Sequence, residues 1–365
     1  MGLSCGIVGL PNIGKTTLFC AITGTEQERS NYMFSTTAPF KGVVDVPDPR
    51  LARIREHIPS SKLVYAQMAV TDIPGLVSGS STGEGMGVGF LSAIKESDAL
   101  LHVVRCFEKE GIQHVSGKVD PAFDAEVVEM ELAAVDKETV ARNLDRVQKK
   151  AKSGLDKEAQ LQIATFEKAK VQLESGAPLR MVEWSEAERK ALFPLFLMTI
   201  KPVLFVANVG DDDLAGQGKH VQALREYAAR TKAHVLHLCC DLEAELLRMG
   251  EEDRKVFMAD MGLVESGLAR LIHSAFDLLG LQTYFTAGEK EIRAWVIHKG
   301  DNAVTGAGVI HTDFLKKFVR AQIYTFDDLT ELHSEAAIKS AGKMRLEGKE
   351  YVLRDGDICN FLIAN

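Results

Sequence analysis

The apolar positions of this chain change period twice, and each change marks a different architecture. Up to Asp124 they gather in short runs between polar loops: within Cys5–Val8, Lys41–Asp48, Gln67–Gly75 and Ala99–Phe107. Runs of that length, rich in β-branched residues, predict buried strands. Pro202 to Asn208 and His234 to Cys240 repeat the signature later. Helical spacing fills the intervals at Thr17–Ile22, 90–97, 243–248 and 263–279, so strands and helices alternate as in an α/β domain. Between Asp124 and Ala191 the spacing becomes purely helical. Val128, Leu132 and Val135, then Leu144, Val147 and Ala151, then Phe166, Ala169 and Leu173 each share one face, with a break near Ser153-Gly154. This predicts two antiparallel amphipathic helices, a hairpin or short coiled coil. Beyond Gly280 the period is two, over Ile292–Ile297, Tyr351–Leu353 and Ile358–Leu362, with a short capped helix expected over Thr312–Arg320. A small α+β module closes the chain.

The first strand runs into Gly9-Leu10-Pro11-Asn12-Ile13-Gly14-Lys15-Thr16, a Gly, four residues, then Gly-Lys-Thr, with a helix behind it. That context separates a P-loop from a chance glycine-rich turn. Backbone N–H groups turn inward on a phosphate and the helix N-terminus adds its positive end. Lys15 can reach the β- and γ-phosphates, and the Thr16 hydroxyl can ligate Mg²⁺. In the polar loop that follows, Thr36, with Thr37 in reserve, stands where a switch threonine meets metal and γ-phosphate; taken alone it is a solvated loop residue. Asp72-Ile73-Pro74-Gly75 ends the next strand, and this order favours a metal-holding Asp72 and a phosphate-facing Gly75 N–H over a simple turn.

Leu76 stands where Ras-type GTPases place a water-orienting Gln, and a glycine-rich second switch loop is expected over 77–89. His114 is the nearest candidate in sequence for the missing water-orienting group, against the plainer reading of a loop histidine without a task. Asn208-Val209-Gly210-Asp211 matches the Asn and Asp of a guanine-reading Asn-Lys-x-Asp but lacks its Lys.

Composition narrows the class without choosing the chemistry. The 365 residues are 46% hydrophobic and 26% charged, which suits a soluble chain of two or three domains. No apolar run reaches the ~20 residues of a membrane span, and no leader-like segment precedes the first strand. The six cysteines form no metal-ligand spacing; adjacent Cys239 and Cys240 read as small buried residues rather than a redox pair. A cytoplasmic location is expected. Net charge of −8 argues against a globally basic nucleic-acid binder. Lys316, Lys317, Arg320, Lys339, Lys343 and Arg345 still offer local cationic surface, either a solvated face or an RNA contact.

Taken together, these strings resemble the YchF family of Obg-like ATPases. The likeness runs through the P-loop, Phe34-Ser35-Thr36, Asp72 to Val77, His102 to Phe107 and His114 to Val119, and it is most specific at Leu279 to Gly288, Gly308 to Phe314 and Leu346 to Lys349. The resemblance implies a Ras-like P-loop NTPase domain over 1–125 and 199–279, a helical or coiled-coil insertion over 126–198, and a β-grasp TGS domain over 280–363. It implies a monomeric, ribosome-bound switch that prefers ATP, hydrolyses it slowly with Mg²⁺, contacts RNA through the TGS domain and insertion, and binds no membrane. Carried over by residue, Asn12, Ile13, Gly14, Lys15, Thr16 and Thr17 take the phosphates, Thr16 and Thr36 the Mg²⁺, and Asn208 with Val209 the base; Leu76 matches the family's apolar replacement. Met33, Phe40, Val88-Gly89 and Asp211 depart from the family pattern. Asp211 matters most, because a carboxylate there restores a guanine-reading group and keeps a GTPase in play. A non-hydrolysing, nucleotide-gated module and a small-molecule P-loop kinase also share the first motif; the kinase would need an acceptor pocket and a lid with arginines.

Overall fold

A strand that runs into a glycine-rich turn and then into a helix opens the chain: β1 (Ser4–Val8) and α1 (Lys15–Thr23). The computed structural model describes residues 4–25, 39–74, 88–109, 114, 117–152 and 156–364. Thr36, Gly75, Leu76 and the glycine-rich stretch 77–87 lie outside the described residues.

Four elements come next: β2 (Phe40–Val46), α2 (Pro49–His57), β3 (Leu63–Val64) and β4 (Ala66–Asp72). Asp48 caps α2 by accepting the Arg50 N–H, with Pro49 pre-set for the first turn. Past the undescribed stretch come α3 (Val88–Glu96) and β5 (Ala99–Arg105), every residue of which is buried. Helices α4 (Pro121–Ala151), α5 (Lys157–Glu174) and α6 (Glu186–Leu192) then interrupt the alternation. It resumes with β6 (Val203–Asn208), α7 (Lys219–Arg230), β7 (His234–Leu238), α8 (Cys240–Leu246), α9 (Glu251–Asp260) and α10 (Gly267–Leu278).

The chain divides into two compact units, one of Leu3–Gly42 with Ala69–Leu271 and one of Val43–Met68 with Ile272–Asn365. One six-stranded sheet has the order β2-β4-β1-β5-β6-β7. Its β1 is parallel to β4 and β5, and β6 to β5 and β7. Strands covered on both faces explain the continuous apolar runs.

The helical insertion is a hairpin with its own core: Val140 and Leu144 of α4 pack with Phe166, Ala169 and Leu173 of α5, closed by Leu179, Trp184, Leu192 and Leu197. The expected pair of helices thus gains a third, α6, which a Ser185/Glu188 capping box starts.

In the second unit the order is β11-β10-β12-β8-β9-β3, where β8 is Leu281–Ala287, β9 Ile292–His298, β10 Phe318–Thr325, β11 Arg345–Glu347 and β12 Asp357–Ile363. Helices α11 (Ala303–Ile310), α12 (Phe314–Lys317), α13 (Phe326–Leu332) and α14 (Glu335–Ser340) complete it. Its core gathers Tyr284, Ile297, Ala303, Ala307, Phe318, Ile323 and Leu353. Gly306 lets α11 settle there, since a Cβ would lie 2.4 Å from Leu353.

Two local expectations are corrected. The helix at Thr312 ends at Lys317, because Phe318 and Arg320 pair with Ile363 and Leu362 of β12. Tyr351–Leu353 forms no strand and contributes a single bridge, Val352 to Asn302.

Candidate functional site

Backbone geometry comes first at the turn between β1 and α1. Gly9 (φ +143°), Asn12 (φ 58°) and Gly14 (φ 98°) all lie in the left-handed region. Side chains are also excluded: a Cβ on Gly9 would sit 2.5 Å from the Val103 carbonyl, and one on Gly14 2.5 Å from Asn208 Nδ2. Gly14 caps α1 with no side-chain acceptor, and no acid stands in the first turn. Those N–H groups are left for an anion.

Lys15 is buried, and its Nζ donates to the Leu10 carbonyl at 2.6 Å, closing the turn on itself. Burial brings its pKa down to about 8, although the Asp72 carboxylate acts the other way. Thr16 Oγ1 donates to Asp72 Oδ2 at 3.0 Å. Lys15 and Thr16 are therefore brought together with Asp72, which lies 56 residues from Thr16 in sequence. Burial raises the Asp72 pKa, opposed by Lys15 and by the Thr16 bond. Among the described residues Asp72 Oδ1 has no hydrogen-bond partner despite being buried. An orphaned carboxylate oxygen beside a hydroxyl, both hard donors, fits a Mg²⁺ ion. Thr17 is half-buried one residue further into α1.

Asn208 ends β6 with both ends of its amide engaged. Nδ2 donates to the Ile13 carbonyl at 2.9 Å, and Oδ1 accepts the Cys240 N–H at 3.1 Å. It ties the phosphate turn to the start of α8. Val209 is 1% exposed, with its N–H on the Leu238 carbonyl. Asp211 opens a short 3₁₀ turn and is exposed. Asp213, which sequence reasoning passed over, closes that loop by accepting from the Gln217 and Gly218 N–H groups at 2.8 and 2.9 Å; Gly-rich spacing around a run of acids was the available signal. His114 is half-buried, with Nε2 2.8 Å from Asp124 Oδ2 in the first turn of α4. Burial raises the Asp124 pKa, with His114 opposing it.

The family model described as 50S ribosome-binding GTPase matches residues 4–149. The model for the C-terminal region of YchF GTPases, described as a protein of unknown function, matches residues 281–364. Proteins named "Ribosome-binding ATPase YchF" from Escherichia coli O157:H7 and Bacillus subtilis are 47% and 46% identical to this chain, over 99% of each sequence. A solved structure titled as the Schizosaccharomyces pombe YchF GTPase superposes with a TM-score of 0.86 at 35% identity, covering 99% of this chain and 98% of that one. Identities of 35–47% over nearly the whole length of both partners in each comparison show the relationship plainly: the chain belongs to the YchF family.

Proposed function

We propose that this chain is a ribosome-associated nucleoside triphosphatase that binds ATP with Mg²⁺ and hydrolyses it slowly as a conformational switch. The observation that carries the reading is the Lys15–Thr16–Asp72 cluster, with its orphaned Asp72 oxygen, beneath an uncapped helix N-terminus. The turn from Asn12 to Thr17 takes the phosphates, with the Lys15 charge leaving the Leu10 carbonyl for them. Thr16, Asp72 and Thr36 hold the metal, which offsets the charge building on the phosphates when bound. Gly75, outside the described residues, is assigned to the terminal phosphate through its N–H. Leu76 offers no hydrogen bond to a water, so His114, or a group from a partner, orients the nucleophile.

Asn208 and Val209 shape the base site around the loop that carries Asp211. The domains are an Obg-type G domain over 1–125 and 199–279, an insertion over 126–198 and a TGS domain over 280–363. The protein works as a cytoplasmic monomer, away from membranes, meeting ribosomal RNA through the TGS domain and insertion. Among the described residues no helix is long and apolar enough to cross a membrane.

Co-sedimentation with ribosomes under ATP, ADP and a non-hydrolysable analogue tests the switch, with phosphate release measured alongside. Nucleotide-dependent pelleting and ribosome-stimulated release are expected; pelleting indifferent to nucleotide sinks the switch. A second reading, a GTPase, is favoured by the exposed Asp211 carboxylate and shares its name with the fission yeast relative. Calorimetric titration with ATP and GTP separates the two.

A further inference from the structure

The loop leaving β6 is shaped by contacts that a phosphate-binding turn does not require. Its start is fixed on β7 through Val209 N–H and the Leu238 carbonyl, 3.0 Å apart. Asp213 then folds it back: the Asp213 N–H donates to the Gly210 carbonyl at 3.3 Å, and its carbonyl accepts the Gly216 N–H at 2.8 Å. Beneath the loop lies His237 of β7. Gly216 stands at φ +63°, and a Cβ on it would come within 2.5–2.7 Å of three atoms of the His237 ring. The loop backbone therefore rests directly on the imidazole. Arg270 of α10 donates to the His237 carbonyl at 3.2 Å. Burial, Arg270 and Arg225 of α7 hold the ring's pKa below its ordinary value, with Asp213 and the Leu214 backbone opposing them. The ring is thus biased toward its neutral form, a flat support beneath the loop.

We propose that His237 is a positioning residue for nucleobase recognition: it sets the stance of loop 209–218, and so of Asp211, without touching the nucleotide. A support of this kind governs the base-dependent part of affinity and leaves the phosphate part alone, because the phosphate turn is built from residues 9–16. The inference rests on reading this loop as the base site.

The test is calorimetry on the full chain with ATP, GTP and inorganic tripolyphosphate, each with Mg²⁺, for His237→Phe, Gly216→Ala and Asp211→Ala. His237→Phe keeps a ring but changes its outline and removes its nitrogens from beneath the loop; Gly216→Ala drives a methyl into the ring. Both are expected to weaken the preferred nucleotide about tenfold and to shift the ATP-to-GTP ratio, while tripolyphosphate stays within about twofold. Retained tripolyphosphate binding also shows that the unit is folded. Equal losses for nucleotide and tripolyphosphate would assign His237 a general structural role and overturn the inference. So would unchanged nucleotide affinity in His237→Phe alongside an altered ratio in Asp211→Ala. If neither Asp211→Ala nor His237→Phe changes binding of either nucleotide, the base-site reading itself falls, and the inference with it.

Discussion

Lys15 carries the sharpest residue-level consequence. Its pKa of about 8 reflects a cation buried before any phosphate arrives. A bound triphosphate raises that value again, so binding above pH 8 must draw a proton from solution. Nucleotide affinity should therefore fall about tenfold between roughly pH 7 and pH 9, with proton uptake visible as a buffer-dependent binding enthalpy. Lys15→Arg, which keeps its proton throughout, should flatten the slope, and Lys15→Ala should abolish binding. Without ligand the sign reverses. The folded state holds fewer protons on Lys15 than the unfolded state between about 8 and the ordinary 10.5, so its contribution to stability rises with pH through that window.

At this scale much of the site was legible. The motif around Lys15 and the Asp72-x-Pro-Gly string foretold the Thr16–Asp72 meeting, because spacing in a strand–turn–helix fixes where those groups point. The partners of Asn208 were not legible. Ile13 lies 195 residues away, and nothing local announces that the Asn amide is spent bridging two loops.

Elements were readable where burial imposed a period and unreadable where it did not. The strand β5 is buried throughout and could be traced from its composition alone. Helix α9 has no buried residue, so it leaves no apolar stripe to find. Phe314, Leu315 and Phe318 carry helical spacing, yet the ladder to β12 claims Phe318, since a run this short does not discriminate between periods. Joining α4 to its surroundings is the buried Asp136, 1% exposed, whose carboxylate accepts from the Met198 N–H and from both the N–H and hydroxyl of Thr199. Asp136→Ala strands those donors and should cost about 2–3 kcal/mol in urea unfolding. Nucleotide affinity measured without denaturant should stay unchanged, which would locate the loss in the scaffold rather than in the phosphate turn.

For the molecule as a whole, the two-unit division has a built-in spectroscopic handle. The chain has two tryptophans, and each unit holds one. Trp184 is buried, donates to the Leu179 carbonyl at 3.0 Å and lies under the Lys168 ammonium. Trp295 donates to Thr286 Oγ1 at 2.9 Å with the Arg293 guanidinium over its ring. Trp184→Phe and Trp295→Phe variants therefore let each unit report its own unfolding. The phosphate turn, Asp72, Asn208 and loop 209–218 all belong to the unit of Trp184. A ligand that binds only the folded form stabilises it by mass action, about 2.7 kcal/mol at 100 times its Kd. Mg²⁺ with ATP should then move the Trp184 transition in Trp295→Phe to higher urea by that amount, and move the Trp295 transition in Trp184→Phe by less. Equal shifts in both variants would mean that the units melt in one cooperative step.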